Sequence, residues 1–115
     1  MSITRIDTGP RMSQAVIHNG TVYLAGQVGD GANVSEQTRD ILAKIDALLA
    51  RAGSDKSHLL SAQIWLADMT TFAEMNAVWE AWVDPANTPA RATVESSLAA
   101  RQYVVEIMVT AAVKG

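Results

Sequence analysis

The sequence predicts an α+β domain: one mixed six-stranded sheet with two helices on one face, in the order β-β-β-α-β-α-β-β. Three observations carry this reading. Short stretches with two-residue alternation of apolar and polar side chains recur along the chain. Two longer segments instead repeat their apolar residues on the helical period. Each of these lies between two strand segments, so right-handed crossovers to parallel neighbours are expected, with both helices on the same face.

The elements follow in order. Ile3 to Thr8 alternates weakly and reads as a first strand, broken by Gly9-Pro10. Gln14 to His18 and Thr21 to Gln27 flank Asn19-Gly20. Both central positions of a type I′ turn need positive φ, and Asn-Gly supplies that at least cost, so these strands form a hairpin. Gly26 to Gly31 is a glycine-rich loop. Asn33 and Glu36 then have the spacing of a capping box, with Ser35 as a rival N-cap. Ile41, Ile45, Leu48 and Ala52 line one face of the first helix, which Gly53 ends in a left-handed cap. Leu59 to Ala67 reads as the fourth strand. A second helix runs from about Thr71 to Val83, its apolar stripe made by Phe72, Met75, Val78, Trp79 and Trp82. After a loop bounded by Pro85 and Pro89, Arg91 to Leu98 and Tyr103 to Val113 are the last two strands.

Bulk properties narrow the class. The 115 residues suit one domain over 1–115, and no repeat, linker or low-complexity segment divides them. With 49% hydrophobic and 18% charged residues, the chain can build a core and is not of disordered composition. The net charge of −3 argues against nucleic acid as a partner, since such domains usually carry a basic face. Cysteine is absent, which excludes disulfides, thiolate nucleophiles and cysteine zinc sites. No signal-peptide pattern opens the chain, and no apolar run reaches the roughly 18 residues of a membrane span. A cytoplasmic protein without a membrane partner is expected.

Two helices cover only one face of such a sheet. In the last strand, Val105, Ile107, Val109, Ala111 and Val113 share one side, and Val104, Glu106, Met108, Thr110 and Ala112 the other. In the fourth, Leu60, Ile64 and Leu66 oppose Gln63 and Trp65; in the third, Val22 and Leu24 oppose Tyr23 and Gln27. The first set is core. The second mixes Trp, Tyr and Met with polar groups, and a patch of that kind suits self-association better than bare solvent.

Several motifs are weak. Gly26-Gln-Val-Gly-Asp-Gly31 has neither Walker nor Rossmann spacing, and a flexible strand-to-helix loop is the simpler reading. His18 and His58 have no second ligand at metal spacing. No Gly-x-Ser-x-Gly elbow supports a serine nucleophile. Trp79 and Trp82 read as core, and Trp65 as facing the opposite side of the sheet.

Arg91 and Glu106 carry more. Arg91 opens a strand, and a guanidinium matches a carboxylate with two parallel hydrogen bonds. Glu106 interrupts the apolar run Tyr103-Val-Val-Glu-Ile-Met-Val109, where a carboxylate is costly unless paired or hydrogen-bonded. A ligand site and a structural Arg–Glu ion pair both fit these residues.

Pro89-Ala-Arg-Ala-Thr-Val94 followed by Val105-Glu-Ile107 resembles the C-terminal signature of the RidA (YjgF) family, whose older label is L-PSP endoribonuclease. Ala15 to Val28, Leu42 to Leu49, Ile64 to Met69 and Met75 to Trp79 resemble further segments of it, so the likeness covers nearly the whole chain. Gly9-Pro-Arg-Met-Ser-Gln14 is similar to a YoaB-like branch.

The resemblance implies a chorismate-mutase-like fold and a homotrimer with a ligand cleft at each subunit interface. It implies hydrolysis of reactive 2-imino and enamine acids, such as 2-aminoacrylate, to 2-keto acids and ammonia, without cofactor or metal. The position of Arg91 would clamp the substrate carboxylate, and that of Glu106 would orient the attacking water. Backbone donors at Gly26 and Thr93 would place the ligand. Met12 and Ala25 would line the substrate site where many relatives carry Tyr and Ser. A non-catalytic module that binds a small keto acid is the alternative. A ribonuclease, after the older label, is a third reading against which the acidic charge counts.

Overall fold

The computed structural model describes residues 2–115 and has the expected element order. Strands β1 (Thr4–Ile6), β2 (Ala15–His18) and β3 (Thr21–Leu24) precede helix α1 (Val34–Arg51); β4 (Leu59–Leu66), α2 (Phe72–Trp82), β5 (Ala90–Glu95) and β6 (Val105–Ala112) follow. The sheet order is β1-β2-β3-β6-β4-β5. Only β4 and β5 pair in parallel.

Local chemistry sets the element ends. Asn19 and Gly20 both have positive φ, 52° and 76°, as the hairpin turn requires. The Asn33 side chain accepts a hydrogen bond from Glu36 N at 2.9 Å, while Glu36 Oε1 accepts one from Ala32 N at 3.1 Å. Ser35 is not the cap; its N–H and hydroxyl donate to Glu74 on the second helix. At the other end Gly53 has φ 78°, Ser54 N donates to Leu49 O and Gly53 N to Ala50 O, a Schellman closure.

Both helices cover one sheet face, and the core lies between. Ile41, Ile45 and Leu49 of α1, Met75 and Trp79 of α2, and Ile64, Leu66, Val105, Ile107 and Val109 of the sheet are buried there. The opposite face leaves Tyr23 49%, Val94 44% and Met108 39% exposed, with Trp65 half-buried among them.

Four expectations change. Strand β6 inserts between β3 and β4, so the α1 crossover joins strands that run the same way but are not neighbours. The register shifts between Leu59 and Ser61, which turns Leu60 out to 50% exposure and gives its core place to Leu59. A bulge of one residue flips the alternation in this way. Strand β3 ends at Leu24, and the chain rejoins the sheet through a single bridge between Gln27 and Ile107. Bridge partners point to the same side, so Gln27 is buried on the core side rather than beside Tyr23. The glycine-rich loop is pinned rather than free: Asp30 N donates to Asp40, and Lys44 donates to Val28 O.

Candidate functional site

Arg91 is the second residue of β5, an edge strand, and pairs in register with Ala62 on the helix-covered face. Its Nη1 donates to Asn76 Oδ1 at 2.7 Å. Its guanidinium carbon lies 5.4 Å from the Trp79 ring centre and 5.8 Å from that of Phe72. Phe72, Asn76 and Trp79 are spaced i, i+4, i+7 and so form one face of α2. Aromatic faces and an amide oxygen attract the cation without neutralising it. Burial lowers the Arg91 pKa from its ordinary value, and the charge of Glu80 partly offsets this. A guanidinium so far above neutrality stays protonated. Among the described residues no carboxylate lies within ion-pair distance of it.

Thr93 follows on the same side of β5, in register with Ile64. Its hydroxyl oxygen is buried and has no hydrogen-bond partner among the described residues. As part of an edge strand, this stretch presents backbone donors away from the sheet.

Glu106 is in register with Trp65 and points to the open face. It is half-buried and has no hydrogen bond or ion pair among the described residues. Its carboxylate lies against Gly26: a Cβ at Gly26 would overlap Glu106 Oε2 and stand 3.1 Å from the carboxyl carbon. Glycine at 26 therefore lets the carboxylate reach the backbone. Gly26 also borders a depression of about 480 Å³ with Met12, Gln14, Lys44 and Arg51. Met12 is exposed there. Ala25 is half-buried, and its backbone is fixed by Gln14 O and the Gln27 side chain.

The six expected residues thus fall into two groups. Met12, Ala25, Gly26 and Glu106 gather around the end of β3 and the start of β6. Arg91 and Thr93 sit at the far edge of the sheet, on the face opposite Glu106. The structural Arg91–Glu106 ion pair is not formed, because the sheet itself separates the two charges. The Asn76–Phe72–Trp79 cradle was not expected, although a polar residue at helical spacing between two aromatics is a readable signal.

Other candidates resolve to structural roles. Asp55 Oδ1 accepts hydrogen bonds from Ser57 N and Oγ and meets His58 Nδ1 at 2.7 Å. Ser57 Oγ meets the same ring nitrogen at 3.1 Å, so this is a turn cap and not a catalytic relay, which needs both ring nitrogens. Trp82 donates to Asp46 at 3.0 Å beside α1. Among the described residues no cluster of three metal-ligating side chains occurs, and no helix is long and apolar enough to cross a membrane.

Comparison with known proteins adds a family to this geometry. The family model for Endoribonuclease L-PSP matches residues 2–113. The RutC family protein YoaB of Escherichia coli K12 is 47% identical over 114 residues, covering 98% of this chain and all of its own. A YjgF-family protein from Neisseria meningitidis is 50% identical, with a TM-score of 0.99 over 100% of this chain and 98% of that one. YyfA of Yersinia pestis, a protein of unknown function in the conserved Rid family, is 28% identical with a TM-score of 0.91, covering 97% of this chain and all of that one.

Proposed function

The chain belongs to the Endoribonuclease L-PSP family, the group of the RutC, YjgF and Rid proteins, and from that premise we propose that it hydrolyses reactive 2-imino acids to 2-keto acids and ammonia. One observation supports this above the others: Arg91 and Glu106 are both left without an ionic partner among the described residues. An uncompensated cation and an uncompensated carboxylate, each half-buried, suit a ligand carrying a carboxylate beside an electrophilic carbon.

In this reading Arg91 grips the substrate carboxylate through the guanidinium nitrogens that Asn76 leaves unused. Water held by Glu106 attacks the imine carbon. The new C–O bond forms as the C=N π pair moves to nitrogen, and Glu106 takes a proton from the water and returns it to that nitrogen. Glu106 then takes the hydroxyl proton and passes it to the same nitrogen as the C–N bond breaks, so that ammonia leaves, the C=O bond forms and the 2-keto acid remains. The imine is already electrophilic, so the protein contributes mainly proximity and one base.

Two copies are needed to bring the groups together, since one sheet holds them apart. A homotrimer joined through the open face, with clefts between subunits, meets that need. The exposed Tyr23, Val94 and Met108 supply apolar area for it. The fold and charge suit work in the cytoplasm on small acids, with no nucleic acid or cofactor.

Binding of a keto acid without turnover is the second reading. It is favoured by Met12 and Ala25, which offer no hydroxyl to the site. Imino acids generated by an amino-acid oxidase and trapped with semicarbazide separate the two. Wild type should compete with the trap, and Arg91→Ala should not. A wild type that never competes but binds 2-oxobutanoate through Arg91 is a binding module. Light scattering after size exclusion should give three chains; a monomer would remove the interfacial cleft.

A further inference from the structure

Gly26 lies beside Glu106 because of two hydrogen bonds. Gln27 N donates to Ile107 O at 2.8 Å, and Ile107 N donates to Gln27 O at 3.1 Å. They form an isolated bridge between Gln27, beyond the end of β3, and Ile107 of β6. A lone bridged pair opens more readily than a pair inside a long ladder.

One side chain brackets this bridge on both sides. Gln37, the fourth residue of α1, is only 3% exposed. Its Nε2 donates to Gly31 O at 3.1 Å and to Gln102 O at 2.7 Å, and its Oε1 accepts from Val104 N at 2.9 Å. Gly31 follows Gln27 in the loop; Gln102 and Val104 lead into Ile107. Both amide hydrogens are therefore used, each on a different loop. The approach is close enough that a Cβ at Gly31 would stand 2.8 Å from Gln37 N. Neither a shorter side chain nor one lacking the NH₂ group could make all three bonds.

We propose that Gln37 is a positioning residue: it locks the loop carrying Gly26 to the segment entering β6 and so sets where the Glu106 carboxylate holds its water. This rests on the reading of Glu106 given above. Loosening the lock changes the placement of the water and leaves the carboxylate clamp at Arg91, on the far edge strand, intact.

The test uses Gln37→Glu, which keeps the shape and the acceptor but loses the donors, and Gln37→Met, which loses all three bonds. In both, kcat for the imino acid should fall about tenfold or more, as misplacement by about an ångström does, while KM stays within about twofold. Amide exchange at Gln27 and Ile107 should speed up about tenfold, with the β4–β6 ladder still protected. Unchanged exchange at those two amides in both variants, with the wild type active, overturns the lock alone. So does a loss of activity that only tracks the folded fraction. A wild type inactive on every imino acid overturns the reading of Glu106, and the catalytic half of this proposal with it.

Discussion

On the helix face of β5, the Arg91 guanidinium is steadied by Asn76 at 2.7 Å and by the rings of Phe72 and Trp79. On the open face of β6, the Glu106 carboxylate meets the bare backbone of Gly26. The first charge is fixed by side chains of the neighbouring helix α2. The second is given room. An anchor for a ligand gains from being held in advance, because less freedom is lost on binding. A group that must hold and deprotonate water gains from having no competing cation beside it. Under the proposed function, the difference between the two surroundings is a difference of task.

Three changes would break or sharpen this contrast, from the largest expected effect to the smallest. Glu106→Gln removes the base and should lower kcat about 10²-fold to 10³-fold, with little change in binding of a 2-keto acid. Gly26→Ala, whose methyl displaces the carboxylate, should move kcat in the same direction. Steady-state kinetics with the trap assay would show this; an equal loss in keto-acid affinity would contradict the division of tasks. Arg91→Lys keeps the charge but not the fork. It should raise KM and the keto-acid dissociation constant about tenfold, worth about 1.4 kcal/mol, while kcat changes less. If kcat falls more than KM rises, Arg91 acts on the reaction itself.

The smallest effect lies far from both groups. Hydrogen bonds from the Ser57 hydroxyl and then from His58 hold the Asp55 carboxyl well below its ordinary value of 3.8. A carboxyl lowered in the folded state adds stability above the unfolded value, and that stability fades as pH falls through the folded one. Between pH 5 and pH 3, thermal melting of Asp55→Asn should therefore fall less steeply than that of wild type. Parallel slopes would show that the turn at Asp55 to His58 contributes nothing to acid sensitivity.

Much of the fold was legible because its signals are local. The Asn19-Gly20 turn, the Asn33–Glu36 cap and the Gly53 stop each depend on a few adjacent residues whose backbone preferences are strong. The alternation in Val105 to Ala111 marked the core face correctly for the same reason. Leu60 and Gln27 were misplaced because a single extra residue reverses the alternation, and nothing in the adjacent sequence marks the bulge. The two charged residues of the candidate site were legible by type but not by arrangement. Arg91 and Glu106 stood out as charges in apolar strands. Their separation by the sheet depends on which strands pair, and their partners lie on other elements.

The sequence by itself therefore determined the elements, their order, the covered face of the sheet and the two charged residues that do not belong in a core. Those follow from backbone preference and from the cost of burying a charge, which act within a few residues. Only the tertiary structure decided that β6 runs between β3 and β4, that Arg91 rests on α2 while Glu106 faces the other way, and that Gln37 ties two distant loops together. Each of these is a contact between residues far apart in the chain, selected by the packing of the whole sheet and not by any local pattern.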